Sequence, residues 1–282
     1  MGREMKLLIG LGILIIVLAV PLVVFAGTVG NPASVDTLKG AGLFNLKGTK
    51  SVGIETGADI EILFNRDIKG LKAGSAKFDG GQWYMAKIGL RLFDRIEPYV
   101  KLGVANLTAK YNATEMSNRE VKLESDTAFA WGAGAKVLLW DFKQPKIKLV
   151  SDGFFRTADL DVDKGKLGGT TVSNIDKSRS KFAMTEWQIA LLASTEIDMA
   201  NAEMGISKIV PYGGVKYSDV RGHLQLVTTA NSEYRTGPIK AKDNVGIVIG
   251  TDLVGKNDSY SVNLEGRFID ETAMTVGLSV LF

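Results

Sequence analysis

The chain has no cysteine, one histidine and six prolines in 282 residues. Without cysteine it has no disulfides, the usual staple of small exported scaffolds, and no thiolate metal site. The single His223 cannot build a zinc site, which takes several His or Cys ligands. A serine–histidine–acid device would have to centre on that one residue. A surplus of one charge is also missing: Lys and Arg total 34, Asp and Glu 31, for a net charge of +3. That balance argues against nucleic acid as a partner, which needs a clustered basic patch.

Long apolar runs are absent too, with one exception. Leu7 to Phe25 is apolar, follows Arg3 and Lys6, and closes on Val24-Phe25-Ala26. This is the layout of a secretory signal cut after Ala26; an uncleaved anchor helix is the competing reading. Pro21 just before the cut favours the signal. The expected organisation is a signal peptide at 1–26, a periplasmic N-terminal segment at 27–50 and a single folded domain at 51–282. No second run of about 20 apolar residues follows, so a bundle of membrane helices is excluded.

What the rest of the chain does have is alternation with a period of two. Met274, Val276, Leu278, Val280 and Phe282 share one face, and Ala273, Thr275, Gly277, Ser279 and Leu281 the other. Tyr260, Val262, Leu264 and Phe268 repeat the pattern against Ser261, Asn263, Glu265 and Arg267. A soluble half-buried sheet alternates in the same way. Two features point instead to a transmembrane barrel. The non-apolar face mixes Gly, Ser and Thr with full charges, and aromatics sit near segment ends (Tyr84, Trp187, Tyr260, Phe268, Phe282), as interface girdles do. A closed barrel also leaves no unpaired edge in lipid. The last strand, with Thr275, Gly277, Val280 and terminal Phe282, has the form of the signal read by the barrel-assembly machinery, although Val280 stands where an aromatic is commoner. That machinery and outer-membrane lipid are the expected partners.

The expected fold is therefore an all-β transmembrane antiparallel β-barrel of about ten strands, with both termini periplasmic. The strands fall at 51–64, 82–93, 98–110, 125–140, 146–158, 182–197, 208–220, 244–254, 259–269 and 273–282. Long polar links at 65–81, 111–124, 159–181 and 221–243 are expected outside, and short turns such as Asp94-Arg95-Ile96-Glu97 inside. The 198–207 connection is long for its side. Twelve strands is the alternative, if 34–46 and part of 224–236 pair. Glu97-Pro98-Tyr99 and Val210-Pro211-Tyr212 read as hairpin punctuation, since Pro at a strand start removes no ladder bond.

Phase then assigns the lumen-lining residues. They are Glu55, Asp59, Glu61, Lys87, Arg91, Lys101, Lys136, Lys148, Asp152, Arg156, Glu186, Glu196, Lys216, Asp252, Glu265 and Arg267. Acids and bases are equal in number, and the acids of the first strand, Glu61 among them, face the bases of the second, including Arg91. In an open channel such walls set a transverse field that tunes selectivity. In a narrow barrel the same charges pair and fill the interior, because an unpaired buried charge costs several kcal/mol.

Two weaker motifs carry less. Asp159, Asp161, Asp163 and Gly165 resemble a calcium loop, but Lys164 takes the glycine position and Thr170 the bidentate glutamate position. His223 lies four residues from Asp219. On an extended strand that is about 13 Å, too far for the acid–histidine pair of the ten-stranded omptin proteases. His223 reads as a loop residue. No catalytic residue, metal ligand or cofactor is expected.

The segments Val29-Gly30-Asn31-Pro32-Ala33, Val52-Gly53-Ile54-Glu55-Thr56-Gly57-Ala58-Asp59 with Phe64-Asn65-Arg66, Glu186-Trp187-Gln188-Ile189-Ala190-Leu191 with Val210-Pro211-Tyr212-Gly213-Gly214-Val215-Lys216-Tyr217, and Glu265-Gly266-Arg267-Phe268-Ile269-Asp270-Glu271 occur in one order. Together they resemble the chlamydial major outer membrane protein family of general porins. That family is longer, has more strands and is rich in cross-linking cysteine, so this chain is similar to it in a shorter, cysteine-free form. The resemblance implies the outer membrane of a diderm bacterium and solute permeation. It does not imply trimers or a wide pore. The expected function is a small porin-like channel for ions or small hydrophilic solutes; the alternative is a closed structural or surface-interaction barrel whose outer loops bind a ligand or host component.

Because there are no native thiols, single cysteines test the phase directly. A lipid-soluble reagent should label Leu90→Cys and spare Arg91→Cys. The reverse pattern would mean that the facing is wrong by one residue.

Overall fold

The computed structural model describes residues 30–38, 52–70, 73–113, 119–172, 175–177, 179–199, 205–227 and 233–282. The expected signal segment, and 27–29 with 39–50 of the segment after it, lie outside the described residues. After a single helical turn α1 (Ala33–Asp36) come β1 (Val52–Lys69), β2 (Ala73–Leu92), β3 (Ile96–Ala113), β4 (Arg119–Ser125), β5 (Ala128–Phe142), β6 (Ile147–Leu167) and the short β7 (Thr170–Thr171). The chain continues with β8 (Lys181–Ser194), the short β9 (Ile197–Asp198), β10 (Ile206–Val227), β11 (Glu233–Ala241), β12 (Val245–Gly255), β13 (Tyr260–Phe268) and β14 (Thr272–Leu281).

All pairings are antiparallel, and the sheet closes on itself because β1 pairs with both β2 and β14. Ile60, for example, faces Tyr84 on one side and Val276 on the other. β4 and β5 both lie between β3 and β6, forming one spanning strand broken at Asp126-Thr127. β11 and β12 likewise share β10 as a neighbour. Among the described residues the wall therefore has ten spanning strands. Among the described residues nothing supports the twelve-strand alternative: 224–227 and 233–236 extend β10 and β11 and Ala33–Asp36 is helical, while 39–46 and 228–232 lie outside the described residues.

Three features differ from the sequence expectation. First, the long polar links are mostly strand: β1 and β2 run to Lys69 and from Ala73, β6 to Leu167 and β10 to Val227. Second, the 198–207 connection starts as ladder, with Ile197 and Asp198 paired to Ile209 and Lys208, which shortens the true turn. Third, residues 27–50 were expected as a segment apart from the barrel, yet 30–38 lie inside it. Ala33, Ser34, Val35 and Leu38 are fully buried there.

The first difference has a physical cause visible along β6. Inward residues run Asp152, Phe154, Arg156 and then Ala158, Leu160, Val162, all buried. Outward residues run from Phe155 to Asp159, Asp161 and Asp163. One strand thus changes from charge-inside to apolar-inside without changing phase. A strand needs about 9–11 residues, tilted, to cross a bilayer, and β6 has 21. The lower part carries a belt of exposed apolar residues that includes Ile88, Leu90, Leu102, Trp131, Ile189, Leu191, Ile249, Val276 and Leu278. The upper part stands beyond that belt with a polar outer face.

The boundary can be tested on one face of one strand. Phe155→Arg should cost about 2–4 kcal/mol and lower insertion into vesicles, as a charge in the lipid belt does. Asp159→Arg, four residues on, should stay within about 0.5 kcal/mol of the parent in urea unfolding. Equal effects at the two positions would contradict the inversion.

Candidate functional site: the barrel interior

The inward phase of the lower strands brings charges from around the ring to within ion-pair distance. Near the turn end, Lys87 Nζ lies 2.8 Å from Glu55 and also pairs with Glu97. Lys101 lies 2.9 Å from Asp59. Tyr99 donates its hydroxyl to Asp152 at 2.8 Å, and the Lys87, Lys101 and Lys136 ammonium groups surround its ring at 5.1 to 5.7 Å from the centroid.

The next layer crosses the barrel. Arg156 from β6 donates two bonds to Glu61 of β1, at 3.0 and 2.9 Å, and its Nε donates to Glu186 of β8 at 2.7 Å. Its guanidinium stacks 4.1 Å from the centre of the Trp83 ring. Arg267 joins Glu61 at 2.7 Å to Glu271 at 3.2 Å. Arg66 pairs with Glu186 and lies 3.1 Å from Glu271, and Lys216 pairs with Glu271 and lies 2.9 Å from Asp270. The Glu61–Arg156 and Arg66–Glu186 links are chords across the ring, since β1 neighbours neither β6 nor β8, while Arg156 and Glu186 face each other on adjacent strands. Isolated buried charges would each cost several kcal/mol, so a network of this density must be self-neutralising to exist.

Beyond the charged layer the interior turns apolar. Leu63, Phe78, Trp83, Leu107, Leu123, Leu160, Val162, Phe182, Met184 and Leu224 form one buried cluster. Phe78 stacks on Phe182 with ring centres 5.6 Å apart. Ser180 latches this end by accepting from Val227 N–H at 2.9 Å and donating to Val227 O at 3.2 Å, while Ile175 packs on the cluster. The turn end is filled by residues 30–38. From the belt upward, the inward-facing side chains leave almost no exposed surface.

Each residue assigned to the lumen can be placed. Fourteen of the sixteen are at most 4% exposed: Glu55, Asp59, Glu61, Lys87, Arg91, Lys101, Lys136, Asp152, Arg156, Glu186, Lys216, Asp252, Glu265 and Arg267. Lys148 and Glu196 are partly exposed at the turn end, where they pair with each other, and Lys148 also meets Asp36 at 2.5 Å. Burial raises the Asp36 carboxyl above its ordinary value even beside Lys148. The facing of Glu61 to Arg91 does not occur. Arg91 sits opposite Gly53, and Glu61 opposite Trp83, because the β1–β2 register slides them eight residues apart. Arg91 instead reaches Asp94 at 3.4 Å and the carbonyl of Leu38.

Sequence reasoning missed Arg66, Glu97, Asp270 and Glu271, all buried members of the network. They fell in stretches taken as links or turns. It also missed Tyr99 and Tyr212, whose hydroxyls reach Asp152 and Glu265. The repeated Pro-Tyr, which lies within β3 and β10 and not at their starts, was the available signal.

The weaker motifs lie on the outer face. Asp161 and Asp163 are engaged by Lys181 and Lys177. His223 is in β10, not a loop, and exposed; Asp219 accepts from Arg221 at 2.9 Å. At the C-terminus, Thr275 and Gly277 face inward, Val280 pairs with Thr56 and Tyr260, and the Phe282 N–H donates to Ile54 O at 2.9 Å.

No protein-family model matches the chain. It is 24% identical to the major outer membrane porin, serovar A, of Chlamydia trachomatis over 89% of this chain and 73% of that protein. It is 25% identical to the major outer membrane porin of Chlamydia muridarum over 59% of this chain and 55% of that one. Among solved structures, the outer membrane protease OmpT from Escherichia coli superposes with a TM-score of 0.44 at 10% identity, covering 83% of this chain and 99% of that one. The chain is an outer-membrane β-barrel that resembles the chlamydial major outer membrane porins.

Proposed function

We propose that this barrel is closed in its resting form and serves the outer membrane as a structural or surface-interaction element, not as an open pore and not as an enzyme. The observation that carries this is the Arg156 layer. Its guanidinium is taken up by Glu61 and Glu186 from two separate walls, with the apolar cluster above it and residues 30–38 below. An ion crossing would have to break buried pairs, each costing about 3–5 kcal/mol to disrupt by removal of one partner. The upper barrel presents a polar outer face, the kind of surface on which a ligand or host component is held.

The likeness to porins favours a second reading, a channel for ions or small hydrophilic solutes that conducts only after the interior rearranges. Purified wild-type protein in planar bilayers separates the two. The closed reading expects no steady conductance at low voltage and no accelerated uptake of small sugars or ions by loaded liposomes. Discrete, reproducible conductance without rearranging mutations would overturn it in favour of the channel.

A further inference from the structure

The interior holds ten buried acids against eight buried bases, once Glu97, Asp270 and Glu271 are counted with Arg66. The surplus sits at the turn end, and residues 30–38 meet it atom by atom. Gly30 N–H donates to Glu265 at 2.6 Å, Ala33 N–H to Asp252 at 3.0 Å, and the Ser34 hydroxyl to Glu97 at 2.6 Å. The Thr37 hydroxyl donates to Glu196 at 2.6 Å, and the Asn31 side-chain amide to Ser279 at 2.8 Å. Asp252 has no ion pair among the described residues, so its partners are Ala33 and the Asn263 amide.

The match runs in the other direction as well. Wall bases reach the segment's carbonyls: Arg91 donates to Leu38 O, and Lys136 to Asn31 O at 3.4 Å and to the Ser34 hydroxyl at 3.2 Å. Apolar side chains find apolar walls. Ala33 and Leu38 pack with Val210, Val254 and Leu281, and Val35 with Leu138 and Val150. Shape is specified too. A Cβ at Gly30 would meet the Tyr212 hydroxyl at 2.3 Å and Glu265 at 2.5 Å, and Asn31 adopts φ 64, a left-handed conformation that Asn tolerates well.

We propose that the turn end of the barrel is a peptide-binding site, whose ligand class is a short bent peptide with a glycine followed by Asn-Pro-Ala-Ser, and that residues 30–38 are its occupant in cis. The site selects its ligand by N–H and hydroxyl donors aimed at carboxylates of the barrel wall. It would be refillable from outside by the same sequence. This holds whether the barrel conducts or not, and failure of the conductance experiment leaves it standing.

Two measurements test it. In the full chain, Asn31→Cys with Ser279→Cys should cross-link on mild oxidation in the folded protein and not in the urea-unfolded one. In a chain lacking residues 30–38, a labelled synthetic peptide of residues 28–39 should bind saturably, one per barrel. The peptide carrying Ser34→Ala should bind about tenfold more weakly, the scale of one charge-assisted hydrogen bond. The peptide carrying Gly30→Val should not bind, and neither should the parent peptide to the full chain. Absence of the cross-link would overturn the proposal. So would a folded shortened barrel that ignores the peptide or binds the Gly30→Val form equally well. If the shortened chain does not fold, the cross-link alone decides.

Discussion

The fold rests on one constraint: charges pointing into a space with little water must neutralise one another. The lower strands alternate so that lipid receives Ile, Leu, Val and aromatic side chains. Alternation then dictates that the remaining residues point inward, where Glu61, Arg156, Glu186, Arg66, Glu271 and Arg267 meet. Removing one partner strands another buried charge, which is far more costly than the pair's net contribution to stability. Ring closure and charge pairing therefore support each other. The chords between distant strands fix the cross-section, and the closed hydrogen-bonded wall keeps the chords dry.

That constraint explains the two ends. Where acids outnumber bases, Asp252 has no ion pair among the described residues, and the backbone N–H of Ala33 supplies a donor instead. Towards the far end the strands leave the apolar belt. Outside they then meet water, so their outer face turns polar and their inner face becomes an ordinary apolar core around Phe78, Leu160 and Phe182. The barrel is a membrane protein for part of its height and resembles a soluble one above it.

The same physics sets how much was legible in the sequence. The C-terminal run from Met274 to Phe282 alternates against small and polar residues, so strand, facing and closure could all be read from it. Phase along a strand is a local property, and Glu55, Lys87 and Asp152 sit where phase puts them. Pairing is not local. Glu61 meets Arg156 ninety-five residues away across the ring, and no spacing in the chain encodes that chord. The upper strands were hidden because Asp159, Asp161 and Asp163 look like loop residues unless Ala158, Leu160 and Val162 are read as an inner face. Residues 30–38 were hidden more deeply: a Gly-Asn-Pro start carries every mark of an exposed turn, and only the carboxylates around it show why it is buried.

The claim that these charges pair directly in a dry interior is tested most directly by a double-mutant cycle on Glu61 and Arg156. Glu61→Gln, Arg156→Met and the double variant would be compared by urea unfolding from vesicles at low and high salt. The account predicts a coupling energy of about 1.5 kcal/mol or more, within the range seen for close charge pairs shielded from water, and little changed by salt. A coupling below about 1 kcal/mol that fades as salt is raised is the behaviour of a pair bathed in water. It would contradict the account.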